Sequence, residues 1–195
     1  MNKWIYVCVA FLIFSVSGCT RVWLDHRHYT PDFSTQEFPD YKGKDVFISI
    51  YHQSDNSDFA YYYSDSHIRL RYTSHPSINN YLYYSYLKAF FRAGFIIHEH
   101  RPEVRIIPEL RILILSLSDE KMVIEPQILL DAGLRYSKTF IITMPPVAER
   151  SQKALEQNAY AMINKSAIMI MNDKDFHGAF LKAIADKNIN WQPMK

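Results

Sequence analysis

The sequence predicts an α+β domain, an antiparallel sheet of about five to seven strands packed by one central helix and a C-terminal helix pair. Two observations carry that prediction. Alternating runs rich in Ile, Val, Phe and Tyr recur between residues 45 and 144, whereas apolar stripes at helical spacing are confined to 76–93 and to the chain beyond 151. Strand and helix signals therefore segregate, instead of alternating as they do in a parallel βαβ fold. A third observation sets the size: 195 residues with 48% hydrophobic and 22% charged side chains fit one folded domain.

Composition also excludes function classes. Twenty-two Lys and Arg against 20 Asp and Glu leave a net charge of +2, and no run of the sequence is a basic stripe, which argues against a nucleic-acid binder. Only five glycines are present, and neither a G-x-x-x-x-G-K-[ST] nor a G-x-G-x-x-G loop occurs, so the turns that let a backbone approach a phosphate are missing. Both cysteines, Cys8 and Cys19, precede residue 20, so the body has neither a disulfide nor a thiolate ligand.

The elements follow in order. Residues 1–18 read as a lipoprotein signal peptide: Lys3 is the positive n-region, Trp4 to Phe14 is an apolar run too short for a permanent span, and small residues follow. Val16-Ser17-Gly18-Cys19 resembles the bacterial lipobox, which implies cleavage before Cys19 and its acylation with palmitate-class chains. Thr20 in place of Asp implies export to the outer membrane. Residues 19–44, broken by Pro31, Pro39 and Gly43, read as a lipidated tether that could reach on the order of 80 Å when extended. Its aromatics Trp23, Tyr29, Phe33, Phe38 and Tyr41 argue that part of it lies along the domain, which is assigned to 45–195.

Asp45 to Tyr51 alternates as a strand. Phe59–Tyr63 and His67–Thr73 flank the polar break Ser64-Asp65-Ser66 as a hairpin. Pro76 opens a helix over 76–93 in which Ile78, Tyr81, Leu82, Ser85, Ala89, Phe90 and Ala93 form the core stripe, and Gly94 caps it. Strands are predicted at 95–98, 109–118, 122–130 and 136–144, with Pro126 marking an edge strand or a bulge. Ser151 caps a long helix, and a shorter one carries Phe176, Phe180, Ala183 and Ile184 on one stripe.

Chemistry is sparse. His26 and His28, like His98 and His100, have the i, i+2 spacing of strand ligands, but neither pair has a third ligand at a recognisable interval, and no metal is assigned. There is no Cys nucleophile in the body and no G-x-S-x-G elbow; Asp119/Glu120 and Asp173/Asp175 fall in turns. Catalytic residues and cofactors are accordingly assigned as none. The distinctive feature is 14 Tyr and 12 Phe. On the 76–93 helix Tyr83, Tyr84, Leu87 and Phe91 are left over from the core stripe, so a partner, an acyl ligand, the tether or the sheet should cover them.

The stretch from Phe59 to Ile96, the later Leu110-Arg-Ile-Leu-Ile-Leu-Ser-Leu-Ser-Asp119, the meander ending at Ile142 and the amphipathic Ala154 to Ile170 resemble, in their order, the bacterial ABC-type transport auxiliary lipoproteins (PqiC-like). The resemblance implies an accessory component without an enzymatic step, lipid-anchored to the outer membrane through Cys19 and facing the periplasm. It would bind a protein partner in an envelope transporter of lipids or other apolar molecules. The alternative is a lipid- or glycolipid-binding module with an aromatic groove.

Overall fold

A computed structural model describes residues 20–33, 36–52, 59–63, 69–75, 77–99, 107–118, 120–147 and 151–189; the signal segment, Cys19 and His100 lie outside them. The elements run β1 (Thr20–Leu24), a 3-10 turn (Pro39–Tyr41), β2 (Asp45–His52), β3 (Phe59–Tyr63), β4 (Arg69–Ser74) and α1 (Ile78–Arg92). There follow β5 (Ile96–His98), β6 (Glu109–Leu117), β7 (Lys121–Leu130), β8 (Gly133–Ser137), β9 (Phe140–Thr143), α2 (Gln152–Asn172) and α3 (Lys174–Ile189).

Local chemistry sets the helix boundaries. The Ser77 hydroxyl accepts from the Asn80 N–H at 3.2 Å, and the Ser151 hydroxyl from the Ala154 N–H at 3.3 Å. Each satisfies an N–H that the first turn leaves without a partner. The Asp173 carboxylate does the same for Phe176 at 2.8 Å, which breaks the C-terminal run into α2 and α3. Gly94 ends α1 at φ +102°, and a Cβ there would stand 3.1 Å from Lys42 Cα, so its freedom and its bareness are both used.

The fold is α+β, as the sequence predicts. Six strands form the main sheet in the order β5-β2-β6-β7-β8, with β9 also on β7; three form a second sheet, β1-β4-β3. The main sheet is mostly antiparallel, as predicted, but mixed. β2 runs parallel to both β5 and β6, and β1 runs parallel to β4. The physical reason is connectivity: a hairpin and α1 intervene between β2 and β5, and a crossover of that length returns the chain in its original direction.

Of the two roles predicted for Pro126, the edge strand is corrected, whereas the bulge has a counterpart in the register shift between Ile128 and Leu129 of β7. β7 is central, and Pro126 stands opposite Ile112 of β6. On the other side of β7, β9 pairs residues 121–124 and β8 pairs residues 127–130, so Pro126 falls where the ladder passes from one to the other. A residue with no N–H costs nothing at such a switch. The predicted strand over 136–144 is accordingly two strands.

The assigned domain boundary moves as well. Residues 20–33 and 36–44 belong to the domain: Val22, Leu24, Tyr29, Phe38 and Tyr41 are all in the hydrophobic core. Five apolar side chains within 20 residues outweigh the entropy that would otherwise keep such a segment loose. The core lies on the face of the main sheet that carries Leu110, Ile112, Ile114, Met122, Ile124 and Ile142, covered by the helices. Tyr86 of α1 and Ser166 of α2 share a buried hydrogen bond of 2.7 Å across that layer.

Candidate functional site

Helical spacing divides α1 as the sequence predicts. Ile78, Tyr81, Leu82, Ser85, Ala89 and Phe90 are buried, and Ala93 just past its end is too. Of the four leftover residues, Tyr83 and Leu87 are half-buried, Tyr84 is 41% exposed and Phe91 is 71% exposed. Tyr84, Leu87 and Phe91 stand at i, i+3 and i+7, one line along the helix. Tyr83 meets Tyr84 edge to face at a ring separation of 5.3 Å.

The segment after β1 builds the other wall. Asp25 accepts from the Arg27 N–H at 2.9 Å and forks with its guanidinium, which holds the Asp25 carboxyl well below the usual carboxylate range. The turn so fixed lays His26 flat on Tyr84, ring centres 4.6 Å apart. Lys88 of α1 donates to the carbonyls of His26 at 2.7 Å and Tyr29 at 3.1 Å, so its charge is spent on the turn. Tyr160 of α2 donates to the Asp25 carbonyl at 2.7 Å, and the Tyr29 hydroxyl to Asn164 Oδ1 at 2.6 Å. The result is a shallow depression of about 400 Å³ bounded by His26, Arg27, Tyr84, Leu87, Lys88, Phe91 and Glu99.

The residues 26–29 thus cover one flank of the leftover line while Phe91 stays open. The sequence did not single out Lys88, although its place four residues after Tyr84 puts it beside that ring on the helix surface.

Of the two histidine pairs, His26, His28 and His98 are described, and His100 lies outside the described residues. His28 Nδ1 stands 3.5 Å from Glu156, and His98 Nε2 is 3.0 Å from Asp45 Oδ1. Among the described residues no group of three His, Cys, Asp or Glu stands close enough to hold a metal ion. Asp173, in a predicted turn, is structural: burial would raise its pKa, but Lys138, the Phe176 N–H and the Tyr136 hydroxyl together lower it. An apolar cavity among Leu24, Tyr81, Leu117, Met122 and Met162 measures about 10 Å³, room for no more than one water and none for an acyl chain.

Burial lowers the pKa of both His26 and His52 from the ordinary 6.5. The unfolded chain therefore takes up protons first as pH falls, and stability drops from about pH 6.5 downward. Asp173 and Glu125, whose carboxyls are also lowered, contribute their losses only below the normal carboxylate range. Urea unfolding should show a lower midpoint at about pH 5 than at about pH 7.5, and His26→Gln should narrow that gap.

Taken together, the elements define an α+β domain with a mixed sheet, helices on one face, and an aromatic depression with a charged rim. No family model and no curated protein matches the chain. Among solved structures it is similar to protein XCC0632 from Xanthomonas campestris, of family DUF330, with a TM-score of 0.56 and 12% identity over 82% of this chain and 96% of that one. A second structure, of an uncharacterized protein, gives a TM-score of 0.49 and 8% identity over 78% of this chain and 97% of that one. The first likeness is one of fold.

Proposed function

We propose that this chain is a membrane-anchored accessory lipoprotein of an envelope transport system, facing the periplasm from the outer membrane. It works by contact with a protein subunit and carries out no reaction of its own. The observation that supports this reading is the line Tyr84, Leu87 and Phe91, an apolar helix edge that the chain's own residues cover on one flank only. Aromatic side chains with a polar rim are the usual anchors of protein interfaces. The rim here is Arg27, Lys88 and Glu99.

The test is crosslinking in cells followed by purification and mass spectrometry. The expected catch is a permease, an ATPase or a membrane-anchored substrate-binding subunit of a transporter. Leu87→Glu and Phe91→Glu should each weaken that association by about 2 kcal/mol or more, roughly 30-fold in Kd. Because Phe91 is open to solvent, Phe91→Glu should leave the fold's stability within about 0.5 kcal/mol. A protein recovered without any crosslinked neighbour would sink the reading.

A further inference from the structure

The turn after β1 closes one flank of the docking edge with a side chain that changes charge near neutral pH. His26 lies flat on Tyr84, ring centres 4.6 Å apart and planes inclined by 25°. Tyr84 begins the line that Leu87 and Phe91 continue, so a ring resting on it withholds one anchor of three. Among the described residues no hydrogen bond or ion pair engages the His26 ring, and the stack on Tyr84 is its principal hold.

The surroundings suit a neutral imidazole and not an imidazolium. The adjacent acid, Asp25, is committed to Arg27: its Oδ2 accepts from the guanidinium at 3.0 and 2.6 Å. From α1 the Lys88 ammonium donates to the His26 carbonyl at 2.7 Å, which places a second positive charge beside the ring. From α2, Glu156 stands within hydrogen-bond reach of the Tyr160 hydroxyl and 3.5 Å from His28 Nδ1. Glu99, after β5, is the remaining acid on the rim. Burial foremost, then Lys88 and Arg27, hold the His26 pKa below the ordinary 6.5 against the pull of Asp25.

We infer that His26 is an acid-responsive gate on the docking edge: on protonation its ring leaves Tyr84, and Tyr84, Leu87 and Phe91 become one continuous anchor line. Protons bind the open form better than the closed one, so a falling pH shifts the population toward the open form. The backbone of the turn stays in place, because Lys88 holds the carbonyls of His26 and Tyr29 and Tyr160 holds that of Asp25. The motion is a side-chain rotation. Its consequence for docking rests on the protein-contact reading above, whereas the motion of the ring stands apart from that reading.

The experiment is a histidine carbon-13 and proton titration of the full chain from about pH 7.5 to about pH 5, within the range where circular dichroism shows the fold intact. The His26 signal is the one lost in His26→Gln; should that variant fail to fold, it is the one that moves in Tyr84→Leu. The Tyr84 ring displaces the His26 ring proton upfield, and Tyr84→Leu supplies the unstacked value at each pH. Wild type and Tyr84→Leu should differ at the upper pH and converge at the lower, and the wild-type ring should titrate at the lower pH of the two. A difference that persists in acid overturns the inference, as does a wild-type ring that titrates above the variant's because cation–π attraction holds it in place. Nile red, an uncharged probe of apolar surface, should gain about twofold in emission over the same range with wild type and stay level with His26→Gln. Level emission from wild type while the ring moves would also overturn the gate. Recovery of a crosslinked neighbour together with a ring that never moves leaves the docking reading intact and removes the gate. Absence of any neighbour removes the docking reading, and the titration still decides whether the ring moves.

Discussion

Tyr41→Ala should lower stability by about 3–5 kcal/mol, the range seen when a large buried aromatic is removed and the cavity does not collapse. Tyr41 stacks on Phe95 with ring centres 4.9 Å apart and lies 5.7 Å from Phe180 and 6.2 Å from Phe176. Its hydroxyl donates at 2.9 Å to the Met171 carbonyl, in the last turn of α2, where no helical N–H reaches. The truncation thus removes a ring shared by three elements and orphans a buried acceptor. For a chain of this size the melting temperature should fall by roughly 10 °C, read by far-ultraviolet circular dichroism. Tyr41→Phe keeps the ring and forfeits one hydrogen bond, so it should cost only about 1 kcal/mol. A loose tether predicts a different outcome for both variants, a change within about 0.5 kcal/mol.

That prediction also marks where the sequence is legible. Periodicity located α1 and its buried stripe, because an amphipathic helix writes its contacts into its own spacing. It located the hairpin, whose partners are neighbours in the chain. It could not locate β1: five residues beside a Pro- and Asp-rich stretch carry little local signal, and the strand exists because β4, some 50 residues away, offers it an edge. Parallel pairing of β2 with β5 and β6 was hidden for the same reason, since direction depends on the path between strands.

The aromatics were partly misread. Their abundance suggested a surface, yet Tyr29, Tyr41, Tyr81, Tyr86, Phe90, Phe95, Phe176 and Phe180 are among the largest fully buried side chains. A tyrosine can be interior when a fixed acceptor meets its hydroxyl, as Asn164, Met171 and Ser166 do for Tyr29, Tyr41 and Tyr86. The acceptors lie at sequence distances of 80 to 135 residues, which no local pattern reports.

Val22→Asp should be the most disruptive single change in the first 30 described residues. Val22 is completely buried on β1, in register with Tyr72, and the strand is held from its outer side by α2: the Gln152 amide donates to the Trp23 carbonyl at 3.0 Å. An unpaired carboxylate at that point costs several kcal/mol to desolvate, more than one five-residue strand gains by docking. The economical response is local: β1 leaves the sheet and carries the following turn with it. Limited proteolysis of the folded variant should then cut within residues 20–33 at a rate many-fold above wild type. Val22→Ala, which removes two methyl groups, should cost only about 2 kcal/mol and leave the strand in place. Trp23→Asp, one residue away but on the exposed face, should leave cleavage near the wild-type rate, because alternate positions on a strand face opposite environments. Val22→Asp and Trp23→Asp therefore separate the two sides of one short strand: the first releases it from the sheet, and the second leaves it docked.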